Sequence, residues 1–337
     1  MLRDSRWSPI RLLAAAAVFA ALQGCYYMHL AAGQIEMNRK REPIAEVIAR
    51  PDTDATLKRR LELASRARDF AMSDLGLPDN GSYRTFADLG RRYATWNVFA
   101  APEFSVEPKR WCFPVAGCVS YRGYFDEKHA AREAAKLGER GYDVHVGPSI
   151  AYSTLGHLRD PVLNTMLGYG DTELAAFIFH ELAHQAVYAP GDSDFNESFA
   201  SVVETEALRR WFAREDSPAE LGKFLALRAR QREAAELMID SRRRLASLYA
   251  ETLEPGAKRE AKAAEFARLR EALTAAGHPA KGDFNNARLV AVVTYERCVP
   301  ALRAELDRLN NDLPAFYSAM LLLVHDLPAR AKICPPP

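Results

Sequence analysis

The sequence lacks an excess of charge of either sign, because 45 lysine and arginine residues nearly balance 44 aspartate and glutamate residues. Proteins that bind the phosphate backbone of nucleic acids usually carry a clustered basic surface. The balance therefore predicts that nucleic acid is not a partner. Internal repeats and low-complexity segments are lacking as well. The part of the chain after the leader, about 310 residues, can bury a sizeable core in one large domain or two closely joined lobes.

The N-terminal region lacks a hydrophobic run long enough to cross a bilayer. The apolar stretch Leu12–Leu22 has eleven residues, whereas a membrane-spanning helix needs about 20. Three arginines precede it, as is typical of a secretory leader. The following Gln23-Gly24-Cys25 completes a sequence that resembles the site cut by lipoprotein signal peptidase. We therefore predict a lipoprotein signal peptide at residues 1–24 and an acylated Cys25, although an ordinary leader followed by a chance cysteine stays an alternative.

This anchor predicts where the protein works. Several acyl chains on Cys25 would hold it on a membrane far more firmly than a single chain. Tyr26 follows in place of the aspartate that is linked to inner-membrane retention. We expect a lipid-anchored protein of the bacterial cell envelope, held at the outer membrane and facing the periplasm.

Cysteine is scarce, with five residues in the chain. Setting Cys25 aside leaves four, and an even number in an oxidising compartment predicts two disulfides. Cys112 and Cys118 flank a short turn and are natural partners. Cys298 with Cys334 follows by elimination. The spacing matches no usual zinc knuckle, which argues against a metal site built from these cysteines.

The most informative motif is His180-Glu181-Leu182-Ala183-His184, which lies within a run of helix-forming residues. Two histidines four residues apart lie on one face of a helix, so both imidazoles can bind a single metal ion. Glu181 is then placed to act as a base on water at that metal. Asp171 or Thr172 is expected to cap this helix.

A zinc site needs a third protein ligand, and Glu197 is the best candidate. The position six residues after His184 is a proline, which excludes the metzincin pattern. Asp192 and Asp194 remain substitutes for Glu197, and Asp194 with Glu197 could instead form a capping box. Ser201 and Glu204 lie one and two turns further along the same helix, where either could hydrogen-bond a ligand histidine.

These motifs resemble those of known proteins. His180-Glu181-x-x-His184 followed by Asn196-Glu197-x-Phe199-Ala200-Ser201 is similar to the gluzincin metallopeptidases, in which the downstream glutamate is the third zinc ligand. The gap between the motifs is shorter than in thermolysin or the large aminopeptidases. The mature chain resembles more closely a family of predicted zinc aminopeptidases anchored as lipoproteins in Gram-negative bacteria. This likeness covers residues 111–125, 151–156, 285–289 and the two motif helices.

Hydrophobic spacing predicts an α+β fold that is mainly helical. Strands are expected at Val119–Tyr124, Asp143–Val146 and Ile150–Leu155. Helices are expected over residues 26–50, 55–76, 127–141, 172–189, 194–213, 284–309 and 312–326, with a long helical hairpin over 217–276. Together with the resemblance, these expected elements divide the chain into four parts. They are a leader (1–24), an N-terminal helical segment (25–110), a zincin-like catalytic core (111–213) and a C-terminal helical part that packs on the core (214–337).

The sequence gives fewer indications of which residues would contact a substrate. Tyr295, Arg288 and Tyr152 are candidates to stabilise the oxyanion of a peptide carbonyl, and we favour Tyr295. In gluzincins the element that corresponds to the strand over residues 150–155 is a sheet edge that pairs with the substrate backbone, which implies a substrate-binding role for Tyr152, Ser153 and Thr154. Simple structural pairing of this strand is the alternative.

The resemblance implies a zinc-dependent peptidase of the cell envelope, labelled an aminopeptidase, with one Zn²⁺ per chain. A zinc-binding envelope scaffold or chaperone that lacks activity is one alternative. A zinc amidase that acts on peptidoglycan stem peptides is another. The intact Glu181 favours the hydrolases, because a structural zinc has no use for a base beside its ligand.

Overall fold

The computed structural model describes residues 26–113 and 116–334. The predicted leader and the predicted lipidation site at Cys25 lie outside the described residues. Helices dominate and strands are short and few, so the predicted α+β, mainly helical class is confirmed.

Thirteen helices lie within the described ranges. They are α1 (residues 26–39), α2 (Ile44–Ala49), α3 (Ala55–Ser73), α4 (Glu127–Gly138), α5 (Asn164–Leu167), α6 (Asp171–Ala186), α7 (Ser193–Arg214), α8 (Pro218–Ala250), α9 (Pro255–Ala275), α10 (Asn286–Glu296), α11 (Val299–Arg308), α12 (Leu313–His325) and α13 (Leu327–Ile333).

Eight strands in the same residues form three small sheets. They are β1 (Arg41–Pro43), β2 (Thr85–Ala87), β3 (Thr95–Pro102), β4 (Trp111–Phe113), β5 (Gly117–Val119), β6 (Tyr121–Tyr124), β7 (Tyr142–Ser149) and β8 (Val162–Leu163). The sheet orders are β1-β2-β8, β6-β3-β7 and β4-β5.

The antiparallel sheet β6-β3-β7 contains a central strand that the sequence did not predict. Phe99 of β3 lies opposite Tyr121 of β6 and His145 of β7. Because β3 precedes residue 111, this sheet joins the N-terminal segment to the part of the chain that carries the motif.

The strand expected at Ile150–Leu155 is wrong, because these residues form an irregular loop. The backbone N–H of Thr154 donates to both carboxylate oxygens of Asp160, at 3.1 and 3.0 Å, and its hydroxyl donates at 2.7 Å. Leu155 has a φ of 55°, which no extended strand contains. The loop therefore closes around a buried carboxylate and does not pair with a neighbouring strand.

Arginines from α3 fix the start of α6. Gly170 is the N-cap and offers no side chain, so the expected cap from Asp171 or Thr172 is wrong. Asp171 instead forms ion pairs with Arg59, at 2.8 Å, and with the buried Arg60. The helix that carries the motif is thus tied to α3 at its first residue.

The core packs the buried face of α6 against α3 and α7. The ring of Phe70 lies 5.8 Å from that of Phe179 and 5.1 Å from that of Trp211. Ile178 and Leu182 on the same helix are fully buried, and such side chains each contribute about 1.5–3 kcal/mol. This packing holds α6 in place, while His180 and Glu181 remain partly exposed on its other side.

The C-terminal half follows the predicted helices with one interruption. The expected hairpin is present as α8 and α9, but the helix expected over residues 284–309 is divided into α10 and α11 at Cys298. Cys298 forms a disulfide with Cys334, and Cys112 with Cys118 closes the β4–β5 hairpin, so both expected disulfides are present. Within the described residues, the helices are too short or too polar to cross a bilayer.

Candidate metal centre

Polar side chains fix the reversal of the chain between α6 and α7. Asn196 Oδ1 accepts the backbone N–H of Ala189 at 2.7 Å, and Asn196 Nδ2 donates to the Ala189 carbonyl at 2.9 Å. Asp192 caps α7 by accepting a backbone N–H one turn along the helix. Because the cap is Asp192, the alternative of a capping box between Asp194 and Glu197 is wrong. Glu197 instead faces α6.

His180, His184 and Glu197 each bring one potential ligand atom to a cluster whose atoms lie within 4.8 Å of one another. Glu197 Oε2 lies 3.3 Å from His180 Nε2 and 3.5 Å from His184 Nε2. These separations lie at the long end of the range for hydrogen bonds. Ligand atoms placed tetrahedrally about 2.1 Å from zinc are about 3.4 Å apart. Both separations of Glu197 Oε2 from the histidine nitrogens are close to this value. Two imidazoles and a carboxylate therefore fit a divalent metal such as zinc in both spacing and donor type.

Glu204 contacts His180 on the side of the ring opposite to Glu197. Its Oε2 lies 3.1 Å from Nδ1 of His180, on the side of the imidazole away from Glu197. A carboxylate in this position fixes the ring orientation and directs Nε2 toward a metal. Ser201 makes no comparable contact, and the buried Nδ1 of His184 finds no partner in the described part of the chain.

The two alternative ligands are engaged elsewhere. Asp192 Oδ2 accepts from the buried Arg330 at 2.8 Å, and Asp194 pairs with Arg297 at 2.9 Å. Both carboxylates therefore hold the start of α7 against the C-terminal helices, and the cluster takes its carboxylate from Glu197.

The charges of the cluster favour a cation. Burial would raise the pKa of Glu197, but His184 and His180 hold it at about 2. Burial would lower the pKa of His180, but hydrogen bonds from its ring to the carboxylates of Glu197 and Glu204 raise it to about 10. A proton on His180 thus supplies the positive charge between two carboxylates when no metal does.

Glu181 lies beside the cluster. Burial raises the pKa of its carboxyl group, and the charges of His184 and His180 oppose this rise. A carboxyl group whose pKa is shifted toward neutrality can both accept and return a proton under physiological conditions. Its position fits the role of a base that does not bind the metal.

Three tyrosines lie close enough to Glu197 to feel its negative charge. The negative charge of Glu197 and then burial raise the pKa of Tyr295 well above its usual value of 10. Burial and then Glu197 raise the pKa of Tyr121 well above that value and the pKa of Tyr188 to about 12. All three therefore keep their protons at neutral pH. The hydroxyl of Tyr188 donates to the Ala116 carbonyl at 3.2 Å.

Sequence reasoning missed three of the groups near the site. Tyr188 lies two residues beyond the end of α6, in extended backbone after Val187, so helical spacing does not indicate it. Tyr121 reaches the site through the pairing of β6, which no local pattern reveals. Asp160 is only 1 % exposed and adds its negative charge to the environment of Glu181.

Four candidate residues are not brought to the cluster. Tyr152 packs against an aromatic ring 4.7 Å away, and Ser153 and Thr154 donate hydrogen bonds to Asp160. Arg288 donates to backbone carbonyls of the loop before α10. Of the three oxyanion candidates, Tyr295 is the one whose environment includes Glu197 and Glu181.

Comparison with known proteins identifies one family. A family model described as "Putative aminopeptidase" matches residues 25–332 of the chain. No curated protein and no solved structure matches it.

Proposed function

The chain belongs to this "Putative aminopeptidase" family, and on that premise we propose that it is a zinc-dependent peptidase of the gluzincin type, with a zincin-like core. His180, His184 and Glu197 would hold one zinc ion. The observation that carries the proposal is the 3.3 and 3.5 Å spacing of Glu197 Oε2 from the two histidine Nε2 atoms.

The proposed reaction is hydrolysis of a peptide bond, in which water adds to the carbonyl carbon and the C–N bond breaks. When bound at this cluster, a divalent metal polarises the carbonyl and lowers the pKa of water. Glu181 takes the proton from the attacking water and gives it to the leaving nitrogen. Tyr295 donates a hydrogen bond to the carbonyl oxygen as negative charge develops there.

The location is proposed with the function. Two disulfides in the described residues support folding in an oxidising compartment such as the periplasm. Acylation of Cys25 would place the enzyme on the periplasmic side of the outer membrane, with peptides as substrates.

Glu181→Gln tests the proposed reaction. The amide keeps the shape of the side chain but cannot accept the proton, so we expect hydrolysis of unblocked and N-terminally blocked peptides to fall about 100-fold or more. Metal content should remain that of the wild type, whereas His180→Ala should lose metal and activity together. A Glu181→Gln variant as fast as the wild type would show that another residue is the base.

A further inference from the structure

We propose that one face of α1 lies in the head-group region of the membrane and holds the body of the protein against the bilayer. The partner is a phospholipid surface. We call this side of the helix the outward face, and it consists of Tyr27, Met28, Ala31, Ala32 and Ile35. The inference goes beyond the proposed peptidase reaction and rests on the proposed acylation of Cys25, not on catalysis.

The outward face is an apolar stripe on an exposed helix. All five side chains are exposed, with 73 % of Met28, 49 % of Ile35 and 41 % of Tyr27 accessible. Successive residues of an α-helix turn by about 100°, which places these five within about 140° of arc. A helix on a protein surface normally turns polar residues to water. The apolar stripe is therefore a surface that a partner should cover.

The opposite face of α1 is fixed to the body of the protein at its first turn. The hydroxyl of Tyr26 donates to the Gly123 carbonyl at 3.0 Å, and the guanidinium group of Arg122 lies 3.7 Å from the centre of the Tyr26 ring. His29 Nε2 accepts the backbone N–H of Phe125 at 2.9 Å. These contacts hold the start of the helix on strand β6 and the residue that follows it.

Further contacts fix the rest of α1. Gly33 lies so close to the Phe125 ring that a Cβ atom at this position would be 2.1 Å from it. Glu36 pairs with Arg91 at 2.9 Å, and Met37 is only 1 % exposed. The helix thus contacts the body from its first residue to its last turn, so the outward face stays at the surface of the protein.

The place of α1 in the chain decides what covers the outward face. Residue 25 is joined directly to Tyr26, whose side chain is 8 % exposed. Acyl chains on Cys25 would enter the bilayer next to a residue that is fixed to the body, with no linker between them. The apolar stripe begins at the next residue, Tyr27, so the anchor itself brings the stripe to the lipid surface.

The charges of α1 suit the same partner. Arg39 is exposed and lies four residues after Ile35, on the same side of the helix. Glu36, the acidic residue of α1, is paired with Arg91 and Lys40. Anionic head groups attract basic side chains at the edge of an interfacial helix. Since α1 is shorter than the about 20 residues that cross a bilayer, it would lie in the interface and not span it.

Tryptophan fluorescence of the acylated protein in vesicles tests this placement. The vesicles contain phosphatidylethanolamine and phosphatidylglycerol, with or without phospholipids brominated in their acyl chains, which quench tryptophan on contact. Ile35→Trp is the probe, because it lies nine residues after Tyr26, about 14 Å along the helix, where nearness to the anchor alone does not place it in lipid. Leu253→Trp is the matched control, since Leu253 is 40 % exposed and lies between α8 and α9.

We expect brominated lipid to remove about half or more of the emission that Ile35→Trp adds to the wild type, because interfacial helices bury their apolar face about 5–10 Å deep. The emission that Leu253→Trp adds should remain. Equal quenching of the two variants, or none of either, would overturn the inference. A dimer in detergent that Ile35→Glu splits would also overturn it, because a second copy of the chain would then cover the stripe.

Flotation of the same vesicles separates this inference from the proposals on which it builds. Protein that floats with the vesicles without quenching of Ile35→Trp overturns the placement of α1 and leaves the anchor intact. A wild type that does not float overturns the acylation and this inference with it. Neither readout depends on hydrolysis, so a failure of the peptidase proposal would leave the result for α1 unchanged.

Discussion

At the scale of single residues, one buried carboxylate and one partly buried carboxylate contact the same histidine. Glu197 and Glu204 approach opposite nitrogens of His180, and the pKa of that imidazole rises to about 10. An environment with this charge stabilises any cation at its centre, whether a proton or a metal ion. The two cations therefore compete for the same site.

This competition predicts a pH dependence of metal binding. Because the pKa of His180 in the metal-free protein is about 10 and that of Glu197 is about 2, binding between these values must release the His180 proton. Zinc affinity should then rise about tenfold per pH unit from pH 6.5 to 9. Calorimetry in buffers of different ionisation enthalpy measures the released proton, and an affinity independent of pH in this interval would contradict the assignment.

Tyr295 should act through its hydroxyl group. Loss of one donor to the developing oxyanion usually costs about 100-fold in kcat, so Tyr295→Phe should lower kcat by about that factor with zinc content unchanged. Tyr317→Phe is the control, because this buried tyrosine has no hydrogen-bond partner for its hydroxyl in the described residues. Equal activity of both variants would exclude Tyr295 as the donor and leave Tyr121 as the next candidate.

At the scale of elements, the sequence predicted the helices better than the sheets. The motif helix and the helix that carries Glu197 follow from apolar spacing, although the motif helix ends at Ala186 and not at the expected residue 189. The expected strand over residues 150–155 is a loop because Asp160, a partner a few residues further on, outweighs local strand preference. Strand β3 was not predicted, because its stability comes from pairing with β6 and β7. Tertiary contacts of this kind leave no local signal in the sequence.

The reversal between α6 and α7 is the element on which the site depends most. Asn196 is 3 % exposed, and both ends of its amide bond Ala189. Asn196→Ala should therefore lower the free energy of unfolding by about 2 kcal/mol and weaken zinc binding, because Glu197 follows directly in the chain. Chemical denaturation and metal titration measure both effects. Asn38→Ala, at an exposed position, should change neither quantity. A wild-type zinc affinity in Asn196→Ala would show that the metal site does not depend on this reversal of the chain.

At the scale of the whole molecule, the proposal is an enzyme attached to a membrane through residue 25. The sequence could predict this attachment and the two disulfides, since leader patterns and cysteine parity are read without a fold. It could not predict the sheet β6-β3-β7, because the pairing of β3 depends on strands that lie far along the chain.

Cys25→Ala tests the attachment. Without a thiol no thioether to lipid can form, so the protein should leave the membrane fraction or accumulate as uncut precursor. Fractionation and the mass of the purified product show which occurs. Cys112→Ala, which removes a cysteine of the Cys112–Cys118 disulfide instead, should leave the membrane fraction unchanged. Unaltered partition and mass in Cys25→Ala would refute the lipoprotein proposal.

The central claim is that His180, His184 and Glu197 bind one zinc ion, and zinc titration of the purified protein tests it most directly. We expect one tight site in the wild type and in His129→Ala, a control that removes an exposed histidine. Glu197→Ala, His180→Ala and His184→Ala should each lose more than about 100-fold in affinity, beyond the loss expected for a residue that only supports a ligand. Wild-type affinity in the Glu197→Ala variant, or a wild type without tight zinc binding, would contradict the account.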